Sequence, residues 1–459
     1  MLKLSEVLED NRKFRIDAEF FAKDARSAYE ALRSHRRFGD LVLSGYRVIY
    51  ENTQIIPREE GAIAGLPFFL QAADIETPFI RPDGMGCVSR GDWERYPRGR
   101  IVPGEVLIEV KGLAEKVSLV PHDIPLNTLV TGTCYKMQTR DPLDARLLIA
   151  FLASRHGQAL KNRLKSNLLV AFISKEDLFG MPVPDFGHDL KTEIAKLIDE
   201  AFAFDKRSTE KLSEAEGVLA ATLGLESWVP PDPPTYILSF SRVFEEKRLD
   251  AEFHRPRVEA LRSALSAKFP LKQLGELGAV ENGQTVPYDE EGNVPIIRSG
   301  DLSNIDDESH FLRARSDSPF YRLERGDVLV SSIGFGSIGK VQVFDKAGVF
   351  GTVSEVTVVR QDVLNPYFVA SFLRSQFGQI QIDRHITGAT GQLHLYKRAV
   401  RKFFVPVIPL EEQEWFETLA RSAAAARAQA RAHLDTAKRA VDIAIVASDA
   451  AALRFLREM

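Results

Sequence analysis

The sequence predicts two tandem copies of one mixed α/β (α+β) unit, each copy ending in a long helix. Three observations carry this: an internal repeat of about half the chain, β-rich segments at matching places, and two equivalent helical stripes. In the repeat, RIDAEFF (Arg15 to Phe21) returns as RLDAEFH (Arg248 to His254), and LPFFLQAADI from Leu66 as VPIIRSGDL from Val294. PGEVLIEVKGLAEKVSLV (Pro103 to Val120) parallels RGDVLVSSIGFGSIGKVQVF (Arg325 to Phe344), and FLASRHGQ (Phe151 to Gln158) parallels FLRSQFGQ (Phe372 to Gln379). MPVP (Met181 to Pro184) and VPVIP (Val405 to Pro409) each precede a helix. The order never changes, and the offset drifts only from 233 to 221 residues. Ordered self-similarity of this kind is the mark of a duplicated unit.

Each copy opens on a short charged helix and continues into segments punctuated by Gly and Pro. VLIEV, VSLV, DVLVSSI, VQVF and EVTVVR have the β-branched density of strands. A basic amphipathic helix follows, LLIAFLASRHGQALKNRL in the first copy. The closing helices carry apolar residues at spacings of mostly three and four, the pattern of a coiled-coil seam. In the first these are Leu190, Ile194, Leu197, Ala201, Phe204, Leu212, Ala215 and Leu219. In the second they are Phe416, Leu419, Ala423, Ala426, Ala430, Leu434, Ala437 and Val441, small enough for two backbones to approach closely. WVPPDPPTY (Trp228 to Tyr236) cannot continue a helix and separates the copies. The expected division is 1–186, a first globular unit; 187–226, its helix; 227–235, a Pro-rich linker; 236–409, a second globular unit; and 410–459, the second helix and a C-terminal tail.

Composition narrows the function. At 459 residues and 44% hydrophobic, the chain can build more than one core. Two cysteines, Cys87 and Cys134, make no disulfide framework and no Cys-x-x-Cys zinc site, and no cofactor or metal is expected. A charged start, MLKLSEVLED, and the lack of any long apolar run predict a soluble cytoplasmic protein.

The net charge is only −4, yet basic residues gather at the same point of both copies. Residues 146–175 hold Arg146, Arg155, Lys161, Arg163, Lys165 and Lys175 with no acid. Residues 370–405 hold Arg374, Arg384, Lys397, Arg398, Arg401 and Lys402 against Asp383. Paired basic segments in an acidic protein point to nucleic-acid phosphates.

GFGSIGK (Gly334 to Lys340) fits both G-x-G-x-x-G and most of G-x-x-x-x-G-K, but both devices need a helix directly after the loop. VQVF follows instead, so the segment reads as a glycine-rich hairpin turn whose amides and Lys340 can touch a DNA phosphate. Asp83, Glu109 and Lys111 match the spacing of magnesium-dependent PD-(D/E)xK nucleases, the alternative enzymatic reading. The repeat sets Ser331 and Ile333 opposite Glu109 and Lys111, so the strand persists without that chemistry. Asp232-Pro-Pro-Thr235 lacks the aromatic of an amino-methyltransferase motif and is linker.

GDVLVSSIGFGSIGKVQV, NPYFVASFLRSQFGQ and ITGATGQLHLYKRAVRKFFVPVIPLEEQ together resemble the DNA-specificity subunits of type I restriction–modification systems. RLDAEFH is similar to that family's charged entry segment. The first copy departs from the pattern: Glu115 replaces the glycine before Lys116, and KNRLKSNLLVAF replaces the TGATGQLH loop. The resemblance implies two α/β target-recognition domains separated by an antiparallel pair of long coiled-coil helices with pseudo-two-fold symmetry. It also implies a non-catalytic reader of a split double-stranded DNA site, docked by two methyltransferase subunits and often two translocating restriction subunits. Expected DNA contacts are Lys116, Arg163 and Lys165 in the first unit and Lys340, Arg384, His385, Gln392, His394 and Lys397 in the second. Among these, Gln392 and His394 are the base-reading candidates. A purely structural adaptor is the remaining alternative.

Overall fold

The computed structural model describes residues 13–166, 170–334, 336–388 and 393–459. The architecture is mixed α/β, with small sheets and long helices, in two compact units. One unit comprises the chain up to Lys206 together with Gln429–Met459, and the other Arg207–Ala428.

In the first unit an antiparallel sheet runs in the order Val42–Tyr46, Cys134–Thr139, Val106–Glu109, Val117–Leu119. A second small sheet sets Phe68–Leu70 between Gly86–Cys87 and Thr128–Val130, and pairs the last of these in parallel. Helices Pro142–Ala153 and Arg155–Leu164 pack on the sheet, burying Leu147, Leu148, Phe151 and Leu160 against Val106, Ile108 and Val117. Asp141 caps the first of them by accepting from the Leu143 amide at 2.9 Å, with Pro142 in the first turn.

The second unit repeats this wiring. Its antiparallel sheet runs Gly278–Asn282, Val356–Gln361, Val328–Ser331, Val341–Val343. Its companion sheet holds Val294–Ile297 parallel to Gly351–Thr352, with Leu312–Ala314 and Tyr321–Arg322 at the edges. Helices Pro366–Arg374 and Gln376–His385 occupy the same place, and Asn365 caps the first by accepting from the Tyr367 amide at 2.9 Å. Matching strand order, matching position of the parallel pair and matching caps show that the repeat read in the sequence is a repeat of topology.

The long helices are His188–Leu223 and Leu410–Val446, and each contributes one half to each unit. In the first unit residues 188–206 pack antiparallel to 429–446. Glu200 pairs with His433 at 3.3 Å, and the Phe204 and His433 rings stack at 5.3 Å. The short helix Asp449–Glu458 closes the end, with Asp449 accepting from the Gly187 amide at 2.6 Å. In the second unit Ala215, Leu219 and Leu223 share a core with Phe416 and Leu419.

The buried line on the first helix differs in part from the expected seam. Leu190, Ile194, Ala201, Ala215 and Leu219 are buried, but Leu197 and Phe204 stand at its margin and Leu212 is exposed. Ile198, Asp205 and Ser208 take the inner positions instead. Asp205 can be buried because Arg81 grips both its oxygens, at 2.7 and 2.8 Å. No helix among the described residues is long and apolar enough to cross a membrane.

Candidate nucleic-acid interface

Two segments singled out separately in the sequence meet in the second unit. Gly334, Gly336 and Gly339 all hold positive φ (113°, 78° and 82°), so the turn before strand Val341–Val343 takes a path that side-chain-bearing residues resist. It is a hairpin turn, as the following strand required. Alongside lie Thr387 and the stretch Leu393–Leu395. His394 exchanges backbone hydrogen bonds with Thr387 at 2.8 and 2.9 Å, and the Leu395 amide donates to the Ser332 carbonyl at 2.8 Å. Gln379 joins turn to helix pair: its side-chain amide donates to the Gly339 carbonyl at 3.1 Å and the Leu373 carbonyl at 2.9 Å.

Lys340 is half-buried here, and among the described residues its ammonium has neither a hydrogen bond nor an ion pair. Burial pushes its ammonium pKa below the ordinary lysine value. An unpaired, partly desolvated cation favours an arriving anion. The His394 ring stacks on Tyr396 at 5.9 Å with 13° between planes, and Arg398 lies 5.2 Å from the Tyr396 centroid. Tyr396 is 49% exposed, so this ladder faces solvent. Lys397 points elsewhere and pairs with Glu281 at 2.5 Å. Gln392 lies outside the described residues. Sequence reasoning passed over Tyr396 and counted Arg398 only as one charge of the basic segment.

Arg163, Arg384 and His385 belong to a different device. Arg15 grips Asp17 through two hydrogen bonds (2.7 and 2.6 Å), and Asp17 accepts from the Phe20 amide at 3.1 Å. The Arg163 guanidinium, buried, sits 4.1 Å from the Phe20 centroid and 4.5 Å from Tyr29. The second unit repeats the clamp: Arg248 grips Asp250, Asp250 accepts from Phe253, and Arg384 lies 4.6 Å from the Phe253 ring. Arg384 also pairs with Glu259 at 2.8 Å. The arginine hydrogen bonds hold the Asp17 and Asp250 carboxyls below the usual carboxylate range. His385 packs edge-on to Phe253 at 5.3 Å, and burial followed by the Arg384 and Lys402 charges lowers its pKa to about 4, leaving the ring neutral at pH 7. Arg163 is buried and Arg384 and His385 are partly buried, and cation–π packing of the two arginines fastens the entry segment of each unit.

The first unit's counterpart turn is built on Glu109. This buried carboxylate accepts from the Glu115 and Lys116 amides at 3.0 and 3.2 Å. Lys116 donates to the Ala72 carbonyl at 2.6 Å, and Lys165 pairs with Glu115 at 3.2 Å. Lys161 is fully buried, and desolvation lowers its pKa to about 7. The basic segment of this copy is therefore largely committed inside the fold. The nuclease alternative finds no support: Glu109 is consumed by amides while Asp83 and Lys111 lie exposed. Among the described residues no three His, Cys, Asp or Glu converge as metal ligands would.

Residues 267–416 match the family model of the type I restriction modification DNA specificity domain. That segment is similar to a type I specificity domain. The match spans the glycine turn, the helix pair and the Thr387–Leu395 segment, and ends inside helix Leu410–Val446. No curated protein matches the sequence. Among solved structures, the type I restriction-modification S subunit from M. genitalium is 16% identical, covering 92% of this chain and 95% of its own, with a TM-score of 0.36. A chain from a structural study of complex assembly and conformational transition of the type I R-M system is 15% identical, covering 90% and 97%, with a TM-score of 0.29.

Within the matched segment, the Gly-Asp that opens GDVLV has a clear role. Asp327 is 1% exposed and accepts from Arg360 on the neighbouring strand at 2.8 and 2.7 Å, and from the Glu324 amide at 2.8 Å. In the first unit Glu105 and Lys136 make the equivalent pair at 2.8 Å. The acid thus pins the loop entering the central strand, just upstream of the glycine turn, and fixes where Lys340 emerges.

Proposed function

We propose that this chain is the sequence-reading subunit of a type I restriction–modification complex. Each globular unit reads one half of a bipartite site, and the paired long helices hold two methyltransferase subunits, with restriction subunits joining in complexes that cleave. The chain itself contributes recognition and no bond-making chemistry. The glycine turn packed against Leu393–Leu395 carries this reading. It gathers an unpaired lysine and the solvent-facing His394–Tyr396–Arg398 ladder on the segment that matches the specificity family. Lys340 serves as a phosphate contact, while His394, with Tyr396 and Arg398 beside it, faces base edges. Gln392 joins this group through its place in the same segment. In the first unit Lys116 and Lys165 flank the corresponding turn, and their existing partners make them the weaker contacts. Two repeated readers suit two half-sites and two identical partner subunits.

The test is salt-dependent DNA binding by the chain assembled with its methyltransferase subunits. Each phosphate contact contributes about 0.9 to the slope of log affinity against log salt. Lys340→Ala is expected to lower that slope by about one and to weaken target and non-target DNA alike. An unchanged slope and affinity would remove the glycine turn from the DNA surface.

A further inference from the structure

The first unit carries a cation–aromatic row of its own where the second unit carries the His394 ladder. In the second unit Ile333 bridges to His394, which exchanges backbone hydrogen bonds with Thr387. In the first, Lys111 stands opposite Ile333 in the repeat and pairs with Phe172, and Phe172 exchanges backbone hydrogen bonds with Ser166, both at 2.9 Å. Phe172 therefore holds the topological place of His394. The edge strands agree. Tyr46 faces Lys136 and, beyond it, Leu107, as Glu281 faces Val358 and, beyond it, Leu329. Leu107 and Leu329 are equivalent in the repeat, so Tyr46 stands where Glu281 receives Lys397, the residue between Tyr396 and Arg398.

Cations cover both rings. The Arg47 guanidinium lies 5.2 Å from the Phe172 centroid, and the Arg98 guanidinium 5.1 Å from that of Tyr46, which is 39% exposed. Lys111 is exposed directly across from Phe172, and residues so paired share one face of the strands. Among the described residues the side chains of Arg47, Arg98 and Lys111 make no hydrogen bond and no ion pair. The acids of the neighbouring turn are occupied: Glu109 by the Glu115 and Lys116 amides, and Glu115 by Lys165. The segment carrying Arg98 is also held in place. Arg100 donates to the Trp93 carbonyl at 2.9 Å with its guanidinium 4.2 Å from the Trp93 ring, and a Cβ on Gly99 would stand 2.5 Å from the Tyr50 hydroxyl.

Resting on the two-headed reading proposed above, we infer that the row Arg98–Tyr46–Arg47–Phe172–Lys111 is the main duplex-DNA contact of the first unit. Its three unpaired cations meet backbone phosphates, and its two rings hold the guanidinium planes in position. An arginine lying flat on a ring keeps the edge of its donor fork free for an anion. The first head thus touches DNA away from Lys116, Arg163 and Lys165, whose charges serve the fold.

Fluorescence anisotropy with a random-sequence duplex across a salt series tests this, using the chain assembled with its methyltransferase subunits. At about 0.9 per phosphate contact, Arg47→Ala, Arg98→Ala and Lys111→Ala combined should lower the slope of log affinity against log salt by about two to three, and Lys111→Ala alone by about one. Arg47→Lys, Arg98→Lys and Lys111→Arg combined should keep the parent slope, since the charges remain. None of the three side chains is buried, so the alanine variants should melt close to the parent. Arg140, exposed and unpaired just past the other end of strand Cys134–Thr139, is the control, and Arg140→Ala should leave the slope unchanged. The parent slope in the alanine variants, beside a lowered slope in Lys340→Ala, would overturn the row and leave the second head's surface standing. A drop of about one in Arg140→Ala would put net charge in the row's place and overturn it too. A parent complex without salt-dependent binding would overturn the two-headed reading and the row with it.

Discussion

Arg360→Met should destabilise the second unit by about 3–5 kcal/mol, the usual cost of leaving one member of a buried pair behind. Asp327 is 1% exposed and Arg360 supplies two of its hydrogen bonds, so the variant strands a carboxylate with the Glu324 amide as its remaining donor. Arg360 is itself one-third exposed, which places the loss at the lower end of that range. For a unit of roughly 200 residues each kcal/mol lowers the midpoint by about 2–4 °C, so a thermal melt should fall by roughly 6–12 °C. The double variant Asp327→Asn with Arg360→Met should recover most of it, because a neutral amide costs less to bury than an unpaired charge. Equal losses in the single and double variants would show that packing of the arginine stem, and not its charge, is what matters.

Gly378→Ala should be comparably damaging, at about 3 kcal/mol, the upper part of the range for overpacking a core. The repeated FLxSxxGQ motif folds two helices sharply onto each other in both units. Ser154 and Ser375 cap the second helix of each pair, accepting from the Gly157 and Phe377 amides at 3.3 Å. The glycine then passes so near the first helix that a Cβ on Gly378 would stand 2.5 Å from the Phe372 carbonyl oxygen and nearer still to Leu373. At Gly157 the same atom would meet the Phe151 carbonyl carbon at 2.6 Å. Backbone, not a flexible side chain, blocks the methyl group in each case. Gly217→Ala is the control. It lies within helix His188–Leu223 with nothing inside 4 Å of the added Cβ, so it should stabilise by about 0.5–1 kcal/mol through helix propensity. A melt in which Gly378→Ala behaves like Gly217→Ala would contradict the close approach of the helix pair.

These two motifs also mark how far the sequence could be read. The duplication was legible because strand-forming stretches, caps and turn glycines are local, and each recurs in order. The Phe151 and Phe372 motifs could be matched on sight, and the matched segments fold alike. Charge was legible only as a count. Arg163 and Lys161 read as members of a basic stripe, yet one is stacked between Phe20 and Tyr29 and the other is fully buried. The rings around Arg163 come from more than 100 residues away, and Lys161 donates to the Lys116 carbonyl 45 residues away, which no local pattern reveals. The repeat itself held the missing clue, since Arg163 aligns with Arg384 and Phe20 with Phe253, the pairs that form the clamp. Periodicity likewise drifted along the first long helix. It put Leu197, Phe204 and Leu212 on the seam, whereas a buried Asp205 is possible only because Arg81 reaches it from another element.

The central claim is that two similar units each read half of a DNA site for a separate methyltransferase. Mapping methylated bases across the host genome tests it most directly, comparing the native chain with one whose residues 236–409 come from another such subunit. Without the chain the bipartite methylation pattern should vanish. With the exchanged unit one half of the methylated site should change and the other half should stay as it was. A methylation pattern unaffected by loss of the chain, or an exchange that alters both halves while methylation persists, would contradict the account.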